Sequence, residues 1–167
     1  MNIEILEIHK NRICDEWFNY LLTSYSVDAR KFLSANKKSF ANPIAKTFSQ
    51  YLPTIFNCIL NNTISAELNE ALESIVRLRA VQDFKASQAL DFVFALKKIT
   101  SDSISGKLEK LQFYELIAEF SEIVDKVALI AFEIYARQRE RLAEIKANEQ
   151  KKLFATIIDK MNKKYEM

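Results

Sequence analysis

The sequence predicts an all-α fold, a bundle of about five main helices with a long C-terminal helix. Three observations carry this. The 167 residues include one Gly and two Pro, and a sheet protein of this size needs many tight turns built from those residues. Apolar residues recur at helical spacing over most of the chain. Helix-start and helix-stop residues punctuate those stretches where the pattern breaks. Packing of the globin-like kind is one arrangement that fits such a bundle. The length is that of a single domain, 1–167, with 137–167 as a basic helical extension. An apolar fraction of 49% with 28% charged residues is that of a folded globular chain.

The first amphipathic segment spans 3–25, with Ile3, Leu6, Ile13, Trp17 and Leu21 on one side. Residues 27–34 form a short helical turn, and SANKKSFAN is a loop. Asn42-Pro43 starts the next helix, Asn as N-cap and Pro at the first helical position. Pro53 falls inside it, removes a backbone donor and crowds the Ser49 carbonyl, which predicts a kink. Ser65 caps a helix whose stripe is Leu68, Leu72, Ile75, Val76 and Arg79. Residues 81–85 make a tight corner. A helix from Ala86 to about Ser105 follows and ends at Gly106, where a left-handed residue is wanted. Its LDFVFAL stretch is apolar enough to sit at the centre of the bundle, with Phe92, Val93, Phe94 and Leu96 mostly buried. From Leu108 the pattern continues through Leu116, Phe120, Ile134, Leu142 and Ile145 with no Gly or Pro to the end. One helix of about 50 residues would measure roughly 75 Å, more than the domain can cover. Either it bends near 137–148 or its end projects and pairs with something.

Few kinds of chemistry survive this composition. One glycine cannot build a phosphate loop. The single histidine, His9, reads as a surface residue, and no ExxH pair or other metal spacing occurs. Cys14 and Cys58 read as small buried hydrophobes, and no disulfide is expected in a cytoplasm. No cofactor is expected. A net charge of +2 does not argue for nucleic acid. MNIEILEIHKNR lacks the pattern of a signal peptide and no run is long enough to span a membrane, so a cytoplasmic protein is expected.

Two features remain. Arg77, Arg79, Gln82, Asp83, Ser87 and Gln88 form a polar corner at the mouth of an apolar helix. Arg77 and Arg79 are two apart and point to different sides, so at most one joins a given pocket. The corner is either structural, an Arg–Asp83 bridge with Asp83 or Lys85 closing the helix start, or a small-anion or signal-ligand site. Asp91, inside LDFVFAL, is at an exposed edge, paired with Arg77 or Arg79, or a ligand contact. The second feature is the tail from Arg137 to Lys164, with nine Lys/Arg against four Asp/Glu. Its apolar residues, with Ile134, Leu142, Ile145 and Phe154 as candidate interface, suit docking on a protein, a homodimer first; peripheral membrane contact is the lesser reading.

The segments EWFNYLLTSY (16–25), KFL, FANPIAKTF (40–48), IVRLRAVQDFKASQALDFVFALKK (75–98) and ALIAFEIYARQRERLAEIKANE (128–149) follow in an order that resembles the N-terminal domain of RsbRD, an RsbT co-antagonist of the bacterial stressosome. RLRAVQDF is the specific block. Where the family pattern has a Thr-Pro step before SQA, this chain has Lys85-Ala86. The resemblance implies a non-enzymatic sensory or regulatory domain acting through protein contacts, of the kind that precedes a STAS domain; no STAS segment occurs before Met167. It supplies no catalytic residues. Stand-alone members resemble genes beside redox membrane complexes, which gives the alternative of an accessory subunit or assembly factor of a bacterial redox or respiratory complex in anaerobic sulfur metabolism.

Overall fold

The computed structural model describes residues 3–35, 42–82 and 84–165. Among them are six helices and no strand: α1 (Ile3–Leu22), α2 (Val27–Ala35), α3 (Pro43–Leu60), α4 (Ala66–Val81), α5 (Ala86–Ile104) and α6 (Lys110–Tyr165). The loop expected between α2 and α3 lies mostly outside the described residues.

The caps fall where the sequence places them. The Asn42 side chain accepts from the Ala45 N–H at 3.1 Å and donates to Leu33 O at 3.3 Å, so one buried amide starts α3 and holds the end of α2. Ser65 Oγ accepts from the Leu68 N–H at 3.2 Å to start α4. At the mouth of α5 Lys85 has no acceptor to offer, and the Gln88 side chain caps in reverse by accepting the Lys85 N–H at 3.3 Å. Gly106 follows α5 at φ 73, the left-handed geometry that a side chain resists. Helix α3 runs on through Pro53.

Helix α5 packs on α1 and α6, and α4 on α3 and α6. Trp17 anchors the first pairing. It is fully buried, stacks on Phe92 with ring centroids 5.9 Å apart, and donates its indole N–H to Phe92 O at 2.6 Å. Phe56 and Phe120 meet between α3 and α6 at 6.1 Å. One expectation fails here. Helix α5 is not apolar-buried all round: Phe92, Val93 and Leu96 are buried, but Phe94 is 50% exposed. Two positions along a helix is about 200° of rotation, so Phe94 points away from the side that Phe92 and Leu96 bury. Asp91 shares the exposed side, accepts a hydrogen bond from Tyr20 OH at 2.6 Å, and acts through its charge on Arg79.

Helix α6 is one helix of 56 residues, about 84 Å long. Its first half lies in the core through Leu116, Phe120, Val124, Val127, Ala131 and Ile134. Gln138 is the last buried residue; Leu142 is half-buried and the side chains from Ala143 to Asn162 are exposed. The end projects. No helix is long and apolar enough to cross a membrane among the described residues.

Candidate functional site

Helix α4 buries one stripe, and the stripe ends on a charge. Leu68, Leu72, Ile75, Val76 and Arg79 are all buried, Arg79 to 1% exposure, whereas Arg77 faces solvent. Of the two arginines the helix phase therefore selects Arg79. A cation in the last turn of α4 also suits that helix's dipole.

The Arg79 guanidinium ties three segments together. Its Nε donates to Ala89 O at 2.9 Å and its Nη2 to Gln88 O at 2.5 Å, both in the first turn of α5. Nη1 donates to Ser24 Oγ at 3.0 Å, just past α1. Its planar face lies 4.6 Å from the centroid of Phe84. These partners are neutral, and burial lowers the arginine's pKa from its ordinary value. Tyr25 completes the corner: its OH donates to Gln82 Oε1 at 2.7 Å, its ring meets Phe84 edge-on at 5.7 Å, and burial raises its pKa.

The six predicted corner residues thus divide. Arg79 is the centre. Gln82 and Gln88 are exposed but reach it, the first through Tyr25 and the second through its own carbonyl. Arg77 points elsewhere, and Ser87 is exposed. Asp83, and with it the expected Arg–Asp83 bridge, lies outside the described residues. Sequence reasoning missed Ser24, Tyr25, Phe84 and Tyr135.

The corner joins the place where α6 leaves the body. Tyr135 OH donates to Phe84 O at 2.6 Å, so Phe84 carries Arg79 on its ring and α6 on its carbonyl. Arg139 donates to Ala80 O at 3.2 Å and Gln138 to Glu73 Oε1 at 3.1 Å.

The four predicted interface residues do not share a face. Ile134 is only 2% exposed, because the phase of α6 turns it into the domain's own core, and it is withdrawn as an interface residue. Leu142 and Ile145 continue that inward phase past the body. Phe154 is exposed on the opposite side of the helix, with Ile158 and Met161 near it. On that outer side α5 and α6 frame a groove of about 350 Å³ lined by Leu90, Phe94, Asp125, Leu129 and Phe132.

Other candidate chemistry is slight. A cavity of about 190 Å³ between α1 and α3 is lined by Cys14, Phe48, Leu52 and Pro53. Cys14 and Cys58 are free thiols, and burial pushes Cys14 up to about 11. His9 is half-buried, with Nδ1 3.0 Å from Ile5 O. No group of His, Cys, Asp and Glu side chains that could hold a metal occurs among the described residues.

The described residues thus form an all-helical body whose buried cation is bound by the chain's own oxygens and whose last helix extends far past the core. The chain belongs to the RsbT co-antagonist protein rsbRD N-terminal domain family, whose profile matches residues 11–150. No curated protein and no solved structure matches it.

Proposed function

We propose that this is a non-enzymatic regulatory domain that works by contact with protein partners, a second copy of itself among them, and that its projecting α6 carries the state of the body to those partners. Family membership supports the regulatory class. The observation that carries the mechanism is the double use of Phe84, under the Arg79 guanidinium at 4.6 Å and bonded to Tyr135 of α6 at 2.6 Å. A shift of the corner that moves Phe84 must strain or break the Tyr135 bond four positions before the helix leaves the body. The corner is a mechanical joint in this reading, because each nitrogen of the Arg79 guanidinium donates to one of the chain's own oxygens.

Tyr135→Phe removes only the hydroxyl that reaches Phe84. Hydrogen exchange should quicken over residues 134–145 while the core of α5 keeps its protection. Recovery of partners in a pull-down from host lysate should fall with the same variant. Unchanged exchange along α6 would separate the corner from the helix and remove the relay.

A further inference from the structure

The groove between α5 and α6 and the exposed tail of α6 lie on one continuous face. At about 100° per residue, Leu129, Phe132, Ala136, Ala143, Ala147, Phe154, Ile157 and Met161 fall within about 60° of one line down the helix, on the side away from the core. Phe94 of α5 thickens this stripe at its body end. Leu129 is 68% exposed, Phe132 53% and Phe154 63%, so both ends of the face are apolar, with Asp125, Arg139 and Gln150 in the same arc.

Two regularities say what covers it. The first is spacing. Phe132 and Phe154 stand eleven positions either side of Ala143, and Leu129 and Ile157 stand fourteen. Large residues occupy both ends of the stripe and alanines its middle. Two such helices, crossing antiparallel at Ala143, place Phe132 against Phe154 and Leu129 against Ile157, let the backbones approach at Ala143, and set Ala136 against Gln150 and Ala147 against Arg139. The second is charge. Residues 110–136 of α6 hold two Lys against five Asp/Glu, whereas 137–165 hold nine Lys/Arg against four Asp/Glu. Antiparallel pairing about Ala143 lays the basic residues 150–165 on the acidic stretch 121–136, while 137–149 meet their own copy. Parallel pairing would stack basic on basic.

We infer that the occupant of the α5/α6 groove is the α6 tail of a second copy, in a two-fold antiparallel pair centred on Ala143. Phe154 and Ile157 of each copy seat against Phe132, Leu129 and Phe94 of the other. Asp125, which lines the groove and is paired with Lys97 of its own chain at 2.6 Å, and the exposed Glu133 lie towards the lysine-rich end of the incoming helix. The bodies lie on opposite sides of the paired helices, because each helix turns its buried face away from the seam, so they do not collide. This rests on the self-association proposed above and adds its direction, register and groove.

Light scattering on the full chain reads the mass, and a nitroxide at Asn162→Cys reads the direction. Burial raises the Cys14 thiol and encloses Cys58, so both label slowly. The expected mass is that of a dimer at tens of micromolar. The expected spin–spin distance is near 57 Å, from 38 positions of stagger at about 1.5 Å each; parallel helices would give less than about 30 Å. Phe132→Asp and Phe154→Lys, both at exposed sites, should each weaken the dimer at least tenfold with helical content unchanged. Combined in one chain they should restore it, since the two positions meet only across the two-fold. Added salt should weaken the native pair. A monomer at a hundred micromolar would overturn both this inference and the self-association beneath it. A dimer with a short distance, or one that the double variant fails to restore, would overturn the antiparallel seam and leave self-association standing.

Discussion

Arg79 offers the most direct test of what holds the bundle's corner. Arg79→Ala deletes three hydrogen bonds, to Ala89 O, Gln88 O and Ser24 Oγ, and the cation stacked on Phe84. Bonds from a charged group contribute about 1.5–3 kcal/mol each to stability. The two carbonyls belong to the first turn of α5, where the helix's own N–H groups still serve them, so the lower end applies. The side chain is fully enclosed, so its removal also leaves a cavity. Against this, desolvation already opposes the charged form, as the lowered pKa shows, and part of the gross loss is returned. The expected net cost is about 3–5 kcal/mol. For a domain of this size each kcal/mol shifts Tm by about 2–4 °C, so a fall of roughly 6–20 °C follows. The assay is urea and thermal unfolding followed at 222 nm and by the fluorescence of Trp17, the sole tryptophan, which is buried against Phe92. Arg77→Ala, two residues away and exposed, is the control and should change stability by less than about 0.5 kcal/mol. Arg79→Lys keeps the charge but not the planar fork, and should recover less than half of the loss. A cost for Arg79→Ala below about 1 kcal/mol would refute the reasoning, and so would an Arg79→Met variant more stable than the native chain, because either would mean that packing alone holds the corner.

Other expectations follow from the same geometry. Phe92→Ala should cost about 3–5 kcal/mol and Phe94→Ala less than about 1 kcal/mol, measured by the same unfolding curves; equal losses would contradict the assigned faces of α5. Asn42→Ala removes a cap and a buried amide link to α2, and should cost about 1–2 kcal/mol. Thr100 Oγ1 is buried without a partner among the described residues, so Thr100→Val should raise stability by about 1 kcal/mol, and a loss would reveal a partner. Cys14, held up to about 11 against an ordinary 9.0, should alkylate at pH 8 roughly a hundredfold more slowly than a free thiol. Because the folded chain binds that proton more tightly than the unfolded one, the thiol's contribution to stability is whole below pH 9.0 and is lost as pH rises towards 11. At concentrations too low for pairing, a chain ending at Ala143 should melt within about 1 kcal/mol of the full chain, since among the described residues no side chain beyond that point is buried within one copy; a larger loss there, read by calorimetry, would show that the tail folds back on the body.

Local chemistry was legible along the chain because it acts over a few residues. Asn42-Pro43, Ser65 and Gly106 mark helix ends by hydrogen bonding and backbone geometry that need no distant partner, and each marks one. The all-α class followed from the scarcity of Gly and Pro, and the buried stripes of α4 and early α6 from their period. Which face of α5 is buried was decided elsewhere. LDFVFAL is apolar in almost every direction, so its period carries little information; the positions of α1 and α6 bury Phe92 and leave Phe94 out. Likewise Arg77 and Arg79 are equal as letters, and only the packing of α4 on its neighbours encloses one of them. Tyr25, Phe84 and Tyr135 meet at the corner from segments far apart in sequence, and no local pattern announces such a meeting. The tail's apolar content was readable, but its face was not: Ile134 and Phe154 fall on opposite sides once one unbroken helix fixes their phase. Sequence by itself determined where helices begin, end and turn greasy, since those depend on neighbours in the chain. Tertiary structure decided which greasy and charged groups face inward, because burial depends on what the rest of the chain brings to each side.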